Sequence, residues 1–187
     1  QSELARLQSA DQQVAPLLRA GRTPGKVEVE LKVKDQMPFH GSAELNNRYS
    51  ANTTKTRFYG GLRYDNLWQL RHSISLNYQV APEKASESQV FSSTYVMPAG
   101  DRGNLLALYA VKSESDVAAV GDVTVLGKGN IFGMRAIFPL RQRGKLFHSW
   151  TLGVDLKDFD ESTTVSGAGT IPTPVKYVPL SLQYSAT

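Results

Sequence analysis

Cysteine is absent from the 187 residues, which removes disulfide scaffolds and thiolate metal sites together. Long hydrophobic runs are also missing. The longest, Leu105 to Val111, has seven residues, against the roughly 20 that a membrane-spanning helix requires. A spanning strand is not excluded, because it needs only about 9 to 11 residues of alternating polarity. There is no block of like charge: the net +4 is scattered, and only Arg141, Arg143 and Lys145 lie close together. Nucleic acid is therefore not an expected partner, since its binders gather positive charge into a patch. No signal-peptide pattern is present, and a chain opening on Gln1 reads as a piece of something longer. With 41% hydrophobic and 20% charged residues, a disordered tail, a collagen and a long coiled coil are excluded.

Catalytic signals are equally scarce. His40, His72 and His148 fall in separate segments with no ligand spacing, so no metal site is expected. Asp158, Asp160 and Glu161 lack the spaced ligands and central glycine of a calcium loop and read as a solvated outer loop. Gly127, Gly129 and Gly133 do not form a dinucleotide fingerprint, and they are expected to help the chain turn back into a strand. No serine sits in a nucleophile elbow. Neither an enzyme nor a cofactor is expected.

The first 38 residues differ from the rest. Ser2 to Ser9 has helical spacing, Gln13 to Arg19 is a possible strand that Pro16 confines to an edge, and Gly21 to Gly25 is a turn. Lys26 to Lys34, KVEVELKVK, alternates strictly as a half-exposed strand. Together they suggest the tail of a small α+β module.

From Gly41 onward no helical period outlasts a turn, and alternating segments follow one another. The stronger ones are Arg57–Asp65, Leu70–Val80, Leu146–Lys157 and Val178–Tyr184; the weaker are Ser42–Tyr49, Ser88–Met97, Asn104–Lys112 and Ile131–Phe138. The expected fold is mainly β, an antiparallel meander of about eight long strands. Several strands run to about nine to twelve residues, nearly twice the soluble mode of about five to six and close to what a tilted strand needs in a bilayer. The connections alternate too. Asn66–Gln69, Pro98–Gly103 and Pro139–Lys145 form a short set, while Ala81–Glu87, Ser113–Asn130 and Asp158–Thr173 lengthen; Ser50–Thr54 alone on that side stays short. Outer-membrane barrels show this asymmetry. Tyr49, Tyr64, Trp68, Tyr78, Tyr95, Phe138, Trp150 and Tyr184 fall near expected strand ends, where a bilayer's interfaces would lie.

Opposite the apolar stripes recur Arg48, Arg57, Arg63, Asp65, Asn77, Gln79, Arg135, Asp155 and Lys157. In a membrane barrel these residues line the channel; in a soluble β-sandwich that binds a carbohydrate or other ligand they face solvent. The sandwich requires Ile74, Leu76, Trp150 and Leu152 to be buried against a second sheet.

PFHGSAELNNRYS (Pro38–Ser50), LRYDNLWQ (Leu62–Gln69), His72-Ser73 and Tyr78-Gln79 together resemble the start of the barrel in two-partner secretion transporters, the ShlB/FhaC/HecB haemolysin secretion/activation family. Val14–Asp35 resembles the end of that family's second POTRA domain, and GKGNIFGMR (Gly127–Arg135) another family segment. The resemblance implies a sixteen-stranded outer-membrane barrel behind two periplasmic POTRA domains, exporting one large haemolysin- or adhesin-type polypeptide. On it, residues 1–38 correspond to the C-terminal part of a POTRA domain in the periplasm, and residues 39–187 to the N-terminal half of the barrel. The expected partners are the secreted polypeptide, outer-membrane lipid and the remainder of the barrel. Val14, Leu17 and Arg19 mark the candidate edge at which a POTRA domain would take the cargo as an added strand. A rival within the superfamily is a barrel that assembles other outer-membrane proteins.

Overall fold

The computed structural model describes residues 12–21, 26–49, 53–100, 102–120, 123–142, 144, 146–160, 162–165, 169–172 and 174–187. The helix expected at Ser2 to Ser9 and residues 22–25 of the expected turn lie outside the described residues. The chain divides into two compact units, Gln1–Phe39 and His40–Thr187.

In the first unit β1 (Gln12–Ala20) pairs antiparallel with β2 (Val27–Asp35), and the Gly21 N–H donates to the Lys26 carbonyl at 2.9 Å where the hairpin closes. The register sets Val14, Pro16 and Leu18 opposite Val33, Leu31 and Val29, so the valine row of β2 meets an apolar row on β1. Leu17 and Arg19 stand on the other face, where Arg19 meets Glu30 at 2.9 Å. Pro16 is tolerated because β1 has no second neighbour among the described residues.

The second unit is built from β3 (Phe39–Asn46), β4 (Arg57–Leu67), β5 (His72–Val80) and β6 (Gln89–Pro98), continuing into β7 (Leu105–Val120), β8 (Val123–Pro139) and β9 (His148–Phe159). A separate small hairpin, β10 (Ser162–Val165) with β11 (Gly169–Pro172), leads to β12 (Val175–Tyr177) and β13 (Leu180–Ala186). The sheet runs β3-β4-β5-β6-β7-β8-β9, each strand beside its sequence neighbour, and both β12 and β13 lie along the far edge of β9. Tyr177 faces Lys157 and Leu180 faces Val154, so β12 and β13 keep one register. They are a single strand interrupted at Pro179, which has no N–H to give; its carbonyl still accepts from the Asp155 N–H at 3.1 Å. Eight strand positions result, and no α-helix occurs among the described residues.

Some expectations about the connections need correcting. Ser113–Asn130 is not a loop: β7 and β8 stay paired out to Val120 opposite Val123, with one irregularity between Glu114 and Val117. The polar stretch Ser113 to Asp116 and the glycines at 127 and 129 hid this extension, because backbone pairing does not need apolar side chains. For the same reason Gly127, Gly129 and Gly133 lie within β8 and do not return the chain into it. The β3–β4 connection, residues 47–56, is longer than expected, because β3 ends at Asn46.

The two faces of the sheet have opposite chemistry. Directly opposed residues share a face, so the register traces a row Tyr64–Ile74–Tyr95–Leu108–Met134–Val154–Leu180 across seven strands. The adjacent row carries Leu62, Leu76, Phe132 and Leu156, and on the other side Met97, Leu106, Leu152 and Leu182 line up. These side chains are open: Phe132 is 58% exposed, Leu152 47% and Leu182 65%. The band from Trp150 to Leu156 is about 20 Å long along the strand at about 3.3 Å per residue. No second sheet covers it among the described residues, so the sandwich requirement for Trp150 and Leu152 is not met. At one end of the band the rings cluster, Phe138, Trp150 and Tyr184 in one row and Trp68, His72 and Tyr95 in contact further along.

Candidate functional site

The polar face carries the structured chemistry. Residues from β3 to β8 line one groove of about 640 Å³ on it, with Arg63, Ser75, Asn77, Ser92, Thr94 and Arg135 along its floor and walls. Small hydroxyl and amide groups occupy the centre because β5 and β6 alternate them with the apolar row: Ser73, Ser75 and Asn77 against Ser92, Thr94 and Val96. Asn77 Nδ2 lies 3.5 Å from Ser92 Oγ across the strand pair.

Arginine–aspartate pairs flank this central track. Near β3, Arg63 Nε lies 2.8 Å from Asp65 Oδ2 as an ion pair, and His40 Nε2 lies 3.7 Å from the same oxygen. On the other side, Arg135 grips Asp155 with both terminal nitrogens, Nη1 to Oδ1 at 2.5 Å and Nη2 to Oδ2 at 2.9 Å. That two-pronged pairing is the strongest geometry an arginine offers a carboxylate. The Tyr109 hydroxyl joins in, donating to Asp155 Oδ1 at 2.6 Å and accepting from Arg135 Nη2 at 2.9 Å. The guanidinium also lies 5.2 Å from the centre of the tyrosine ring, within cation–π range.

Glycine makes this cluster possible. Tyr109, Gly133 and Asp155 are directly opposed on β7, β8 and β9, so the tyrosine must reach across β8 to touch the aspartate. A Cβ at Gly133 would overlap the Tyr109 ring. One row away, Arg135 is opposed by Gly153, where a Cβ would come within 2.7 Å of the arginine Cδ and Nε. Two side chains that reach sideways thus lie over two residues without side chains. Asp155 is left only 7% exposed, its charge fully partnered.

The remaining expected positions are dispersed. Gln79 is 3% exposed and donates from Nε2 to Ser88 Oγ at 3.2 Å at the end of the groove nearest the β5–β6 connection. Arg57 is buried and turned into the β3–β4 connection, donating to the Thr54 and Thr56 carbonyls at 2.6 and 2.9 Å and to Thr53 Oγ1 at 2.6 Å. Arg48 lies beyond the end of β3, exposed. Lys157 sits 5.6 Å over the Tyr177 ring. Asp158, expected in a solvated loop, is instead within β9, and Lys176 pairs with it at 2.7 Å; Glu161 lies outside the described residues. The structure therefore brings Arg63, Asp65, Asn77, Arg135 and Asp155 to one face and sets Arg48 and Arg57 apart from it. Tyr109, Gly133 and Gly153 complete the cluster although sequence reading did not select them.

Among the described residues no group of three or more His, Cys, Asp or Glu is placed to hold a metal ion. The arrangement is a polar surface on which Arg63 is balanced by Asp65 and Arg135 by Asp155.

The family model for haemolysin secretion/activation proteins ShlB/FhaC/HecB matches residues 25–161. No curated protein sequence matches the chain. Covering most of the chain, the match shows that it belongs to the ShlB/FhaC/HecB family of two-partner secretion transporters, proteins of the bacterial outer membrane that are not enzymes.

Proposed function

We propose that this chain forms part of the wall of an outer-membrane pore through which one large partner polypeptide is exported. Residues 39–187 would be the N-terminal half of the barrel and residues 1–38 the C-terminal part of a periplasmic POTRA domain. The observation that carries the reading is the inverted polarity of the sheet: large apolar side chains stand open on one face while arginine, aspartate and glutamine are partnered and sheltered on the other. Water favours the reverse arrangement; hydrocarbon on one side and a hydrated passage on the other favour this one.

The sheet's two outer strands, β3 and the β12–β13 strand, need partners in lipid, where unpaired N–H and C=O groups are prohibitively costly. Proline does not blunt the β13 side. The Pro179 carbonyl faces β9, and in an extended strand the N and the C=O of one residue point the same way, so its missing donor also faces inward. That edge is free to continue into the remainder of the barrel. In the periplasmic module, the second edge of β1, which carries Val14, Leu17 and Arg19, would receive the cargo as an added strand. The longer connections would face outward and the turns at 68–71, 99–104 and 140–147 the periplasm.

Two measurements test the reading. A lipid-quenched fluorophore on a cysteine at Leu152 should be dimmed by brominated acyl chains, and the same label at the neighbouring Thr151 should not. In planar bilayers Arg63→Glu should shift single-channel conductance and move selectivity toward cations. Equal quenching at the two sites, or an unchanged channel, would overturn the proposal.

A further inference from the structure

The polar face is interrupted at one level by four apolar side chains. Val90, Val111, Ile131 and Phe159 are all buried and pack as one cluster. They come from β6, β7, β8 and β9 and face the groove side: Val111 is opposed by Ser92 and Ile131, and Val90 and Phe159 share the next row with Ser113 and Gly129. Gly129 has φ of +155°, and a Cβ there would overlap Phe159, so the ring lies over the glycine. Tyr109 packs against the cluster from the polar network below.

The β5–β6 connection adjoins this collar, ending two residues before Val90. Its short turn at Ala85–Glu87 packs against β7, a strand two places away from β5. Its roots, Ala81 and Ser88, are buried and joined by the Ala81 N–H donating to the Ser88 carbonyl at 2.9 Å. Its outer side is fastened to the β3–β4 connection. Glu87 Oε2 accepts the Thr54 N–H at 2.7 Å, and Glu83 Oε1 accepts the Thr56 hydroxyl at 2.6 Å. Lys84 Nζ holds the other Glu87 oxygen at 3.0 Å, and the buried Arg57 guanidinium ties the carbonyls of the receiving segment.

We infer that residues 81–88 are a latched gate that, with the collar of Val90, Val111, Ile131 and Phe159, closes the outer end of the polypeptide passage until the Glu83 and Glu87 fastenings release. The inference rests on the pore reading. A polar passage conducts because it stays wet, and an apolar constriction interrupts it by excluding water. Both fastenings are carboxylates accepting from one neighbouring segment, so a cargo chain pressing on the β3–β4 connection would undo them together.

The test uses the transporter that carries this chain, reconstituted in planar bilayers. Thr56→Cys with Glu83→Cys, bridged by a short bis-methanethiosulfonate reagent whose disulfides form with loss of sulfinate and can be reduced, locks the strap; this chain has no cysteine to compete. Bridging should suppress openings, and reductant should restore them in the same membranes. Glu83→Ala with Glu87→Ala should raise the open probability about tenfold, the effect of about one net charged hydrogen bond on a two-state equilibrium. Channels that open equally often when locked, reduced and unlatched would overturn the gate and leave the pore standing. Absence of any channel from the unaltered protein would overturn both.

Discussion

Gly133→Ala turns the tyrosine bridge into a measurable quantity. In an ordinary strand, replacing glycine by alanine stabilises by about 0.5–1 kcal/mol through backbone entropy. Here the sign should reverse. The new methyl would occupy the space of the Tyr109 ring, which must then leave Asp155 and Arg135. Displacement forfeits a hydrogen bond to a charged group, about 1.5–3 kcal/mol. It also loses the ring–guanidinium contact, about 0.5–1 kcal/mol. If the ring stays, overpacking strain of about 1–3 kcal/mol takes the place of those losses. Net of the backbone gain, the first route destabilises by about 1–3.5 kcal/mol and the second by about 0–2.5 kcal/mol. With Tyr109→Ala already present the three atoms nearest the methyl are gone, and Gly133→Ala should be neutral or mildly stabilising, a coupling of about 3 kcal/mol. Urea unfolding of the four proteins in detergent micelles, followed by tryptophan fluorescence, measures that coupling. Tyr109→Phe is the control, because it removes the hydroxyl and keeps the clash. The same response to Gly133→Ala with and without the tyrosine ring would refute the argument.

Asp155→Leu alone leaves the Arg135 guanidinium without its acceptor and should cost about 2–3 kcal/mol, whereas adding Arg135→Met should recover at least half in the same urea assay; additive losses would contradict the pairing. The β4–β5 turn holds Trp68, Gln69 and Arg71 at φ of 54°, 60° and 58°, a conformation that costs a residue with a Cβ about 1–2 kcal/mol. Gln69→Gly should therefore raise unfolding stability by about 0.5–1 kcal/mol after glycine's own entropy cost, and a loss would show that the turn is not so held. The Glu87 carboxyl is held below its ordinary value of 4.5, chiefly by accepting the Thr54 N–H and then by Lys84. Its contribution to loop stability is thus present above pH 4.5 and disappears as pH falls through the lowered value. The exchange protection factor of the Thr54 amide should follow that course and become insensitive to acid in Glu87→Gln; protection persisting well below the lowered value would exclude the role.

Strands were legible where alternation separates the two faces. His72–Val80 and Trp150–Lys157 carry apolar residues on one parity only, and the structure pairs them as that pattern requires. Tyr109 was not legible. On β7 both parities are apolar, Leu106, Leu108 and Ala110 against Ala107, Tyr109 and Val111, so the pattern assigns no face. Gly133 and Gly153 acquire meaning only from what lies opposite on the neighbouring strand, and register is a property of the pair. Arg57 shares a parity with Arg63, but its position at the first residue of β4 brings the carbonyls of residues 54 and 56 within reach.

β8 is pinned from both sides, by Tyr109 crossing Gly133 and by Phe159 lying over Gly129, while Arg135 reaches over Gly153 into β9. Backbone ladders alone let staves peel away one after another when a terminus is pulled, but side chains seated across a neighbour must be lifted out first. Drawn from Thr187 by a cantilever, the sheet should shed its last stave alone and then surrender β9, β8 and β7 in one mechanical step. If the proposed pore conducts a long polymer, its wall would gain from that, since drag on one stave is shared by three.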